Sequence, residues 1–109
     1  MAWYIKTEAF TKKAKNISNE KRKLFLEEHL YWVKAINASG IKISSGYLVD
    51  KNQVPGGGGL LIFEATSYKE AQEIIKNDPM ILNELVTWEL QEWIPIHEGI
   101  SNKTIEDSL

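Results

Sequence analysis

The sequence contains no cysteine, and this absence excludes disulfide bonds and thiolate chemistry and is compatible with a reducing compartment. Its only two histidines, His29 and His97, stand in dissimilar settings, and its carboxylates are scattered, so no set of metal ligands is recognisable. No apolar run approaches the length of a membrane span, and the first residues lack the pattern of a signal peptide. These absences predict a cytoplasmic protein without a metal site or a membrane partner.

An excess of positive charge is also missing, because 13 Lys and Arg residues stand against 15 Asp and Glu residues, a net charge of −2. Nucleic-acid binding requires a clustered basic surface, so no nucleic-acid partner is expected. One local basic region can attract an anionic ligand, although interspersed acidic residues favour a solvated surface there. This region contains Lys12, Lys13, Lys15, Lys21, Arg22 and Lys23.

Four consecutive glycines, Gly56 to Gly59, raise the question of a phosphate-binding loop. Such a loop needs the order strand, glycine-rich turn, helix, because the anion binds free N–H groups at a helix N-terminus. Here the glycines precede a strand-like apolar run, and no Lys-Ser or Lys-Thr pair closes a Walker motif. We therefore predict a flexible connection between two strands, with a pocket-lining backbone as the alternative.

The chain of 109 residues fits one domain, which buries roughly two-thirds of the surface that the unfolded chain exposes. With 43% hydrophobic and 26% charged residues, its composition is that of a globular protein. Four tryptophans are expected in the core, in a pocket or in an interface. We predict a domain over residues 1–96 and a polar C-terminal tail over residues 97–109.

Apolar runs and alternation of apolar residues predict four strands. One helical segment lies between the first and second strands, and another lies between the third and fourth. The first helix begins after an N-cap at Ser18 and ends at Ser39-Gly40. The second begins at a capping box formed by Ser67 and Glu70 and ends near Asp78, because Pro79 disfavours helical geometry before it. The predicted strands are Ala2 to Phe10, Ile41 to Val49, Leu60 to Thr66 and Val86 to Pro95.

The resulting order, β-α-β-β-α-β, predicts an α+β fold of the ferredoxin-like type, a four-stranded antiparallel sheet with both helices on one face. Leu60 to Phe63 are four consecutive apolar residues, so both faces of the third strand require burial. The helices cover only one face. We therefore predict a homodimer in which the uncovered sheet faces of two copies pack together.

His29 projects from the apolar side of the first helix, where a lone histidine is more often a core residue than a catalyst. Asp78 at a helix C-terminus faces the negative end of the helix dipole, an unfavourable position without a partner. It can also simply initiate an Asp-Pro turn. In this topology, however, the end of the second helix can reach the middle of the first. A carboxylate there would fix the imidazole tautomer and make His29 a better general base.

Five features follow one another in a distinctive order: His29-Leu30, Ser45-Gly46, a glycine-rich segment before Leu61-Ile62-Phe63, Glu70-Ala71 and Asp78-Pro79. In this order the chain resembles the YciI-like (YCII-related) family from about Tyr4 to Pro95. The resemblance implies the dimeric α+β barrel and a pocket with a paired His29 and Asp78. The chain departs from the family pattern at Tyr47, where members often have Pro or Ala. A tyrosine there can change the shape of the pocket mouth, so the substrate of a relative is not assigned to this chain.

The resemblance leaves more than one function open, since most members have no established reaction, a relative is a dehydrochlorinase of chlorinated hydroxyquinones, and the superfamily includes isomerases and monooxygenases. Our first hypothesis is a cofactor-independent enzyme in which His29 transfers a proton on an aromatic or lactone-like substrate, by elimination or isomerisation, and Asp78 orients it. Trp32, Ser45 and Gly46 are the predicted substrate-binding residues. Ser45 lacks the strand-turn-helix elbow of a hydrolase nucleophile. The alternatives are a non-enzymatic binding module with the same pocket and a purely structural domain.

Overall fold

The computed structural model describes residues 1–99, which form one four-stranded sheet and four helices. The predicted tail falls largely outside the described residues, at 100–109. The strands are β1 (Ala2–Phe10), β2 (Ile43–Val49), β3 (Pro55–Ala65) and β4 (Val86–Trp93). The helices are α1 (Lys12–Asn16), α2 (Asn19–Ala38), α3 (Tyr68–Ile75) and α4 (Pro79–Leu82).

The sheet has the strand order β2-β3-β1-β4, and every neighbouring pair is antiparallel. The two central strands, β1 and β3, come from opposite halves of the chain and pair from Ala2 with Ala65 to Glu8 with Gly59. This arrangement is the split βαβ topology, in which each helix connects two strands that are not neighbours. The predicted ferredoxin-like α+β fold is therefore confirmed.

The ends of the long helix α2 lie where the sequence predicts them. The Ser18 hydroxyl accepts a hydrogen bond from the Lys21 backbone N–H at 3.2 Å and so caps the first turn. The helix ends at Ala38, and Gly40 follows with φ of +103°, a conformation that favours glycine. These two local signals fix the length of α2 and therefore the position of each side chain along it.

The four glycines do not form a loop, so that prediction is wrong: Gly56 to Gly59 extend β3 at its N-terminal end. Gly58 has φ of +96°, and a Cβ on it would overlap the backbone carbonyl oxygen of Glu8 on β1. At Gly58 a glycine is therefore required, because β1 and β3 approach each other too closely there for a side chain. A run without side chains lacks the apolar alternation from which strands are recognised, which explains the error.

Two details near the second helical segment also differ from the prediction. Glu70 accepts from the backbone N–H and the hydroxyl of Thr66, so its half of the capping box reaches one residue further back than Ser67. Helix α3 ends at Ile75, and Asp78 is the N-cap of the separate helix α4 rather than the end of α3. Asp78 thus stands at the positive end of a helix, where a carboxylate is stabilised, and the predicted electrostatic penalty is wrong.

The helix-covered face of the sheet carries two groups of buried apolar residues. The first cluster lies between the sheet and helices α2 and α3, and the second lies under α1 and α4. The first cluster contains Tyr4, Val33, Leu61, Phe63, Ala65, Ala71, Ile75 and Leu90. The second cluster contains Ala14, Met80, Leu85 and Val86. Between them along β1 lie Lys6 and Glu8, which share the helix-covered face with Tyr4 and Phe10.

Within residues 1–99 no helix covers the opposite face of the sheet, which is partly apolar. Because side chains alternate along a strand, Leu60 and Ile62 point away from the buried Leu61 and Phe63. Ile5 pairs with Ile62 across the β1–β3 ladder. We call this the open face, and its partly exposed apolar residues are Trp3, Ile5, Leu60, Ile62 and Trp93.

Candidate active site

His29 lies in the middle of α2 and is held by both nitrogens of its imidazole ring. Nδ1 lies 2.7 Å from Oδ1 of Asp78, and Nε2 lies 2.9 Å from the Ser45 hydroxyl oxygen on β2. The side chain retains 13% of its exposure, whereas that of Asp78 is completely buried. The structure thus brings three of the predicted site residues together. Ser45 and Asp78 are 16 and 49 positions from His29 in the chain.

Asp78 is buried, yet three donors surround its carboxylate. Oδ1 accepts from the His29 ring and, at 2.9 Å, from the backbone N–H of Met80, while Oδ2 accepts from the Lys6 ammonium at 2.6 Å. Burial by itself raises the pKa of the Asp78 carboxyl, but the hydrogen bond from His29 and the charge of Lys6 outweigh it. The net effect is a pKa of Asp78 below its ordinary value, so the group is an anion at neutral pH.

Lys6 is the functional residue that sequence reasoning missed. Its side chain is 1% exposed and lies between two carboxylates, with Nζ 2.6 Å from Asp78 Oδ2 and 3.1 Å from Glu8 Oε2. A buried ammonium is costly unless it is paired, and here two anions pair it. The available signal was the spacing of Lys6 and Glu8, two positions apart on one face of a strand that the topology places at the centre of the sheet.

The hydrogen-bond partners assign the tautomer of His29. An ionised carboxylate only accepts, so Nδ1 carries the proton that it donates to Asp78. In neutral His29, the lone pair of Nε2 then accepts a hydrogen bond from the Ser45 hydroxyl. The lone pair points toward the β2 side of the site, so the imidazole is arranged to take up a proton there while Asp78 stabilises the resulting cation.

The two other predicted site residues have different positions. The Trp32 ring lies against His29, with ring centroids 5.8 Å apart and planes tilted by 39°, and it also packs against the first cluster. Gly46 follows Ser45 on β2, and a Cβ on it would meet no atom within 4 Å. Because Ser45 points to the helices, Gly46 faces the open side of the sheet. Their roles in substrate binding stay predictions.

A cavity of about 560 Å³ lies beside the second cluster, a volume typical of small-molecule sites. Leu26, one turn before His29 on α2, and Tyr47, two residues after Ser45 on β2, both line it, so the cavity lies near the His29 site. The predicted site residues themselves do not line it. Its walls are formed by Phe10, Ala14, Ile17, Leu26, Met80 and Leu85, with Lys15, Arg22, Tyr47, Pro55 and Gly56 around the edge.

Residues 1–99 contain neither a cluster of metal ligands nor a helix that could span a membrane. No group of three or more His, Cys, Asp or Glu side chains is placed to hold a metal ion in this part of the chain. None of the helices described for it combines the length and the apolar character that a membrane span requires. The candidate site consists of side chains that contact one another, those of Lys6, Glu8, His29, Ser45 and Asp78.

Comparison with known folds supports the topology described above. The dehydrochlorinase of 5-chloro-2-hydroxyhydroquinone from Burkholderia phenoliruptrix AC1100, solved in complex with 2,5-dihydroxybenzoquinone, matches with a TM-score of 0.62 and 21% identity over 84% of this chain and 93% of the enzyme. The de novo designed protein Ferredog-Diesel matches with a TM-score of 0.54 and 13% identity over 84% of each chain. A protein of Arabidopsis thaliana matches with a TM-score of 0.52 and 14% identity, covering 92% of this chain and all of the other.

The sequence comparisons are more selective. No curated protein matches the chain at a significant level. The model of the YCII-related domain, however, matches residues 4–94, which is most of the sequence. The chain therefore belongs to the YCII-related family, as its order of motifs indicates.

Proposed function

We propose that this member of the YCII-related family is a small enzyme that transfers a proton without a metal or organic cofactor. His29 is the general base, and Asp78 is the positioning residue that fixes its tautomer. The observation that carries the proposal is the chain of contacts from a buried, ionised carboxylate through the imidazole to a hydroxyl at an exposed position of the sheet. A histidine that served packing alone could satisfy its inner nitrogen with a neutral acceptor, whereas an anion there also stabilises a positively charged ring.

The proposed reaction is an elimination or an isomerisation at a carbon next to a carbonyl group. His29 Nε2 takes the proton from this carbon, and the electron pair of the broken C–H bond moves toward the carbonyl. In an elimination the leaving group then departs from the neighbouring carbon with the electron pair of its bond, and the imidazolium releases its proton to water. In an isomerisation the imidazolium returns the proton to a different carbon. In both cases the carboxylate of Asp78 stabilises the positive ring between the two steps.

The proposed substrate is a small aromatic or lactone-like molecule. A dehydrochlorinase with a similar fold, solved with a bound dihydroxybenzoquinone, supports this class. Trp32 offers an aromatic surface beside the imidazole, and the Ser45 hydroxyl can turn from Nε2 to a substrate oxygen. Gly46 contributes only backbone atoms to the proposed site.

We also propose that the protein is a cytoplasmic homodimer in which two open faces pack together. The support is the partly exposed apolar stripe that includes Ile5, Ile62 and Trp93, which a second copy would remove from water. A two-fold axis through this face brings the same residues of both copies into contact. The helices, with the His29 site between them and the sheet, would then lie on the outside of the pair.

Replacing His29 by Gln tests the catalytic proposal. Glutamine keeps hydrogen bonding but removes the titratable base, so turnover of the best substrate from a panel of chlorinated hydroxyquinones and lactones should fall by about 10²- to 10⁴-fold. His97→Gln is the matched control, because it removes the other histidine at an exposed position and should leave the rate unchanged.

Two outcomes of this experiment contradict the proposal. Undiminished turnover in His29→Gln would exclude the histidine as the base. Ligand binding that survives in both variants, with no turnover by the unmodified protein on any member of the panel, would favour the non-enzymatic binding module instead.

The homodimer is tested by the molecular mass in sedimentation equilibrium over a range of concentrations. The unmodified chain should sediment with twice the mass of a single chain, and Ile62→Lys should shift the equilibrium to monomer, because it buries a charge in the apolar contact. Leu82→Lys is the control, since Leu82 is 64% exposed on α4, away from the open face. A concentration-independent monomer mass of the unmodified protein would contradict the prediction.

A further inference from the structure

The cavity beside the second cluster has a composition that specifies a ligand. Its walls are apolar, and the charged residues that line it, Lys15 and Arg22, are both cationic. No acidic residue is among the lining residues of the part of the chain that the structure describes. A hollow with an apolar body and a positive edge is complementary to a molecule with an apolar body and a negative end.

Arg22 is held in place rather than mobile in solvent. Its Nη2 donates to the backbone carbonyl oxygens of Ala14, at 3.1 Å, and Lys15, at 3.4 Å, and its Nη1 donates to Asn19 Oδ1 at 3.2 Å. A guanidinium has five N–H donors, so these three bonds leave donors for a ligand. Because the side chain is already ordered by contacts to α1, little conformational entropy is lost when it binds an anion.

The position of Arg22 relative to His29 sets a length. The two residues are seven positions apart on α2, so they lie on one face of the helix, separated by about 10 Å along its axis. Leu26 lies between them on the same face and lines the cavity. A molecule that reaches from the guanidinium to the imidazole therefore lies along an apolar surface and is longer than a single aromatic ring.

Part of the cavity exists because a glycine lies at its β2–β3 edge. Tyr47 and Pro55 line its β2–β3 edge together with Gly56, which has no side chain to fill the space. The tyrosine is 69% exposed, so its ring borders the mouth of the cavity rather than its floor. Lys15 and Arg22 are exposed as well, so a tyrosine and two cationic residues border the mouth of the cavity.

We infer that the cavity binds the carboxylate-bearing part of the substrate, with Arg22 and Lys15 at the carboxylate and the apolar body extending along Leu26 toward His29. This inference rests on the proposed function for the reacting end and adds the substrate class, an aromatic or lactone-like acid. A carboxylate suits the site because a guanidinium and an ammonium at the edge give charge-assisted hydrogen bonds to its two oxygens.

The test compares two ligands that differ only in charge, biphenyl-4-carboxylate and biphenyl-4-carboxamide. Their binding to the unmodified protein is measured by titration calorimetry and by amide chemical-shift changes in NMR spectra. The carboxylate should bind at least about tenfold more tightly than the amide, as expected for a charge-assisted contact. The largest shift changes should lie at Leu26, Tyr47 and Met80.

Arg22→Met and Lys15→Met each remove one charge and keep an unbranched, flexible side chain. Each variant should reduce the preference for the carboxylate and leave the affinity for the amide unchanged. Lys15→Met keeps the test valid even where Arg22→Met fails to fold, because no hydrogen bond of the Lys15 side chain holds α1 in the described structure. Lys23→Met is the control, since Lys23 is exposed on the same helix but does not line the cavity.

Equal affinity for the two ligands, no binding of the carboxylate, or a preference that survives loss of both charges would overturn the inference. His29→Gln separates this result from the proposed function, because it should reduce turnover by about 10²- to 10⁴-fold without changing the carboxylate preference. Loss of the preference in His29→Gln would place the carboxylate at the imidazole instead and would also overturn the inference.

Discussion

The two apolar clusters on the helix-covered face are built differently. The first is closed, with Phe63, Ala65, Ala71 and Ile75 all at 0% exposure. The second is smaller, and Ala14, which is one of its members, also lines a cavity of about 560 Å³. Close packing leaves no room for a ligand, whereas an incompletely filled cluster provides an apolar space at little further cost. The same sheet thus carries a closed core at one end and a cavity at the other.

The charged row that separates the clusters, formed by Lys6, Glu8 and Asp78, marks the boundary between them. Its burial is tolerated because each charge has an opposite partner. Asp78 of this row also binds the His29 ring, with Nδ1 2.7 Å from Oδ1. We expect three measurements to sharpen or to break this contrast.

The largest effect should come from the charged row itself. Lys6→Met leaves Asp78 and Glu8 buried without their cation, so the free energy of unfolding should fall by about 3 kcal/mol. Lys42→Met is the matched control, because Lys42 is 75% exposed and lies 3.9 Å from Glu64, and its loss should cost less than about 0.5 kcal/mol. Urea unfolding measures both. Equal stability of the two variants would show that the row is not a structural boundary.

A smaller effect should distinguish the packing of the two clusters directly. Ala71→Leu adds a larger side chain to the closed cluster and should lower the free energy of unfolding by about 2 kcal/mol. Ala14→Leu makes the same change at the wall of the cavity, where the added atoms have space, and should cost less than about 0.5 kcal/mol. Thermal unfolding followed by circular dichroism compares them. A larger loss for Ala14→Leu than for Ala71→Leu would reverse the assignment of open and closed clusters.

The smallest effect should appear only in acid. Because the pKa of Asp78 is lower in the folded protein than in the unfolded chain, the folded state binds this proton less tightly. Its contribution to stability is complete above the ordinary carboxyl pKa of about 3.9 and is lost as the pH falls below that value. Melting temperatures between pH 7 and pH 3 should therefore decrease mainly below pH 4.

The acid effect needs a control because Glu70 also has a lowered pKa, through its hydrogen bonds from the hydroxyl and backbone N–H of Thr66. The Asp78→Asn variant should show a flatter decrease below pH 4 than the unmodified protein. Glu70→Gln should retain the part that belongs to Asp78. An unchanged profile in Asp78→Asn would show that the acid loss arises from other carboxyl groups.

Local signals in the sequence predict most of the fold. Ser18 and Gly40 fix the ends of α2, and the apolar run from Leu60 to Phe63 predicts a strand with two faces that need burial. Such signals act over a few residues, so a single sequence displays them. The glycine half of β3 was missed because its cause lies on another strand, at the Glu8 carbonyl that Gly58 approaches.

The candidate site was predictable only where topology and spacing combine. The ferredoxin-like order makes a contact of His29 with Asp78 possible, and the resemblance to the YCII-related family implies the pair. The position of Asp78 at a new helix start and the burial of Lys6 depend on packing in three dimensions. A lysine in a strand is usually solvent-exposed, and only the partners from distant segments make this one an interior residue.

The carboxylate of Asp78 begins helix α4 through the Met80 amide and holds the His29 ring with the same oxygen. Backbone order and imidazole orientation therefore share one acceptor atom. When the ring gains a second proton, the balance of the two bonds at this oxygen changes, and the Met80 N–H senses it directly. The NMR resonance of this single amide can thus serve as an internal indicator of the charge on the imidazole, readable in the unmodified protein without any substrate.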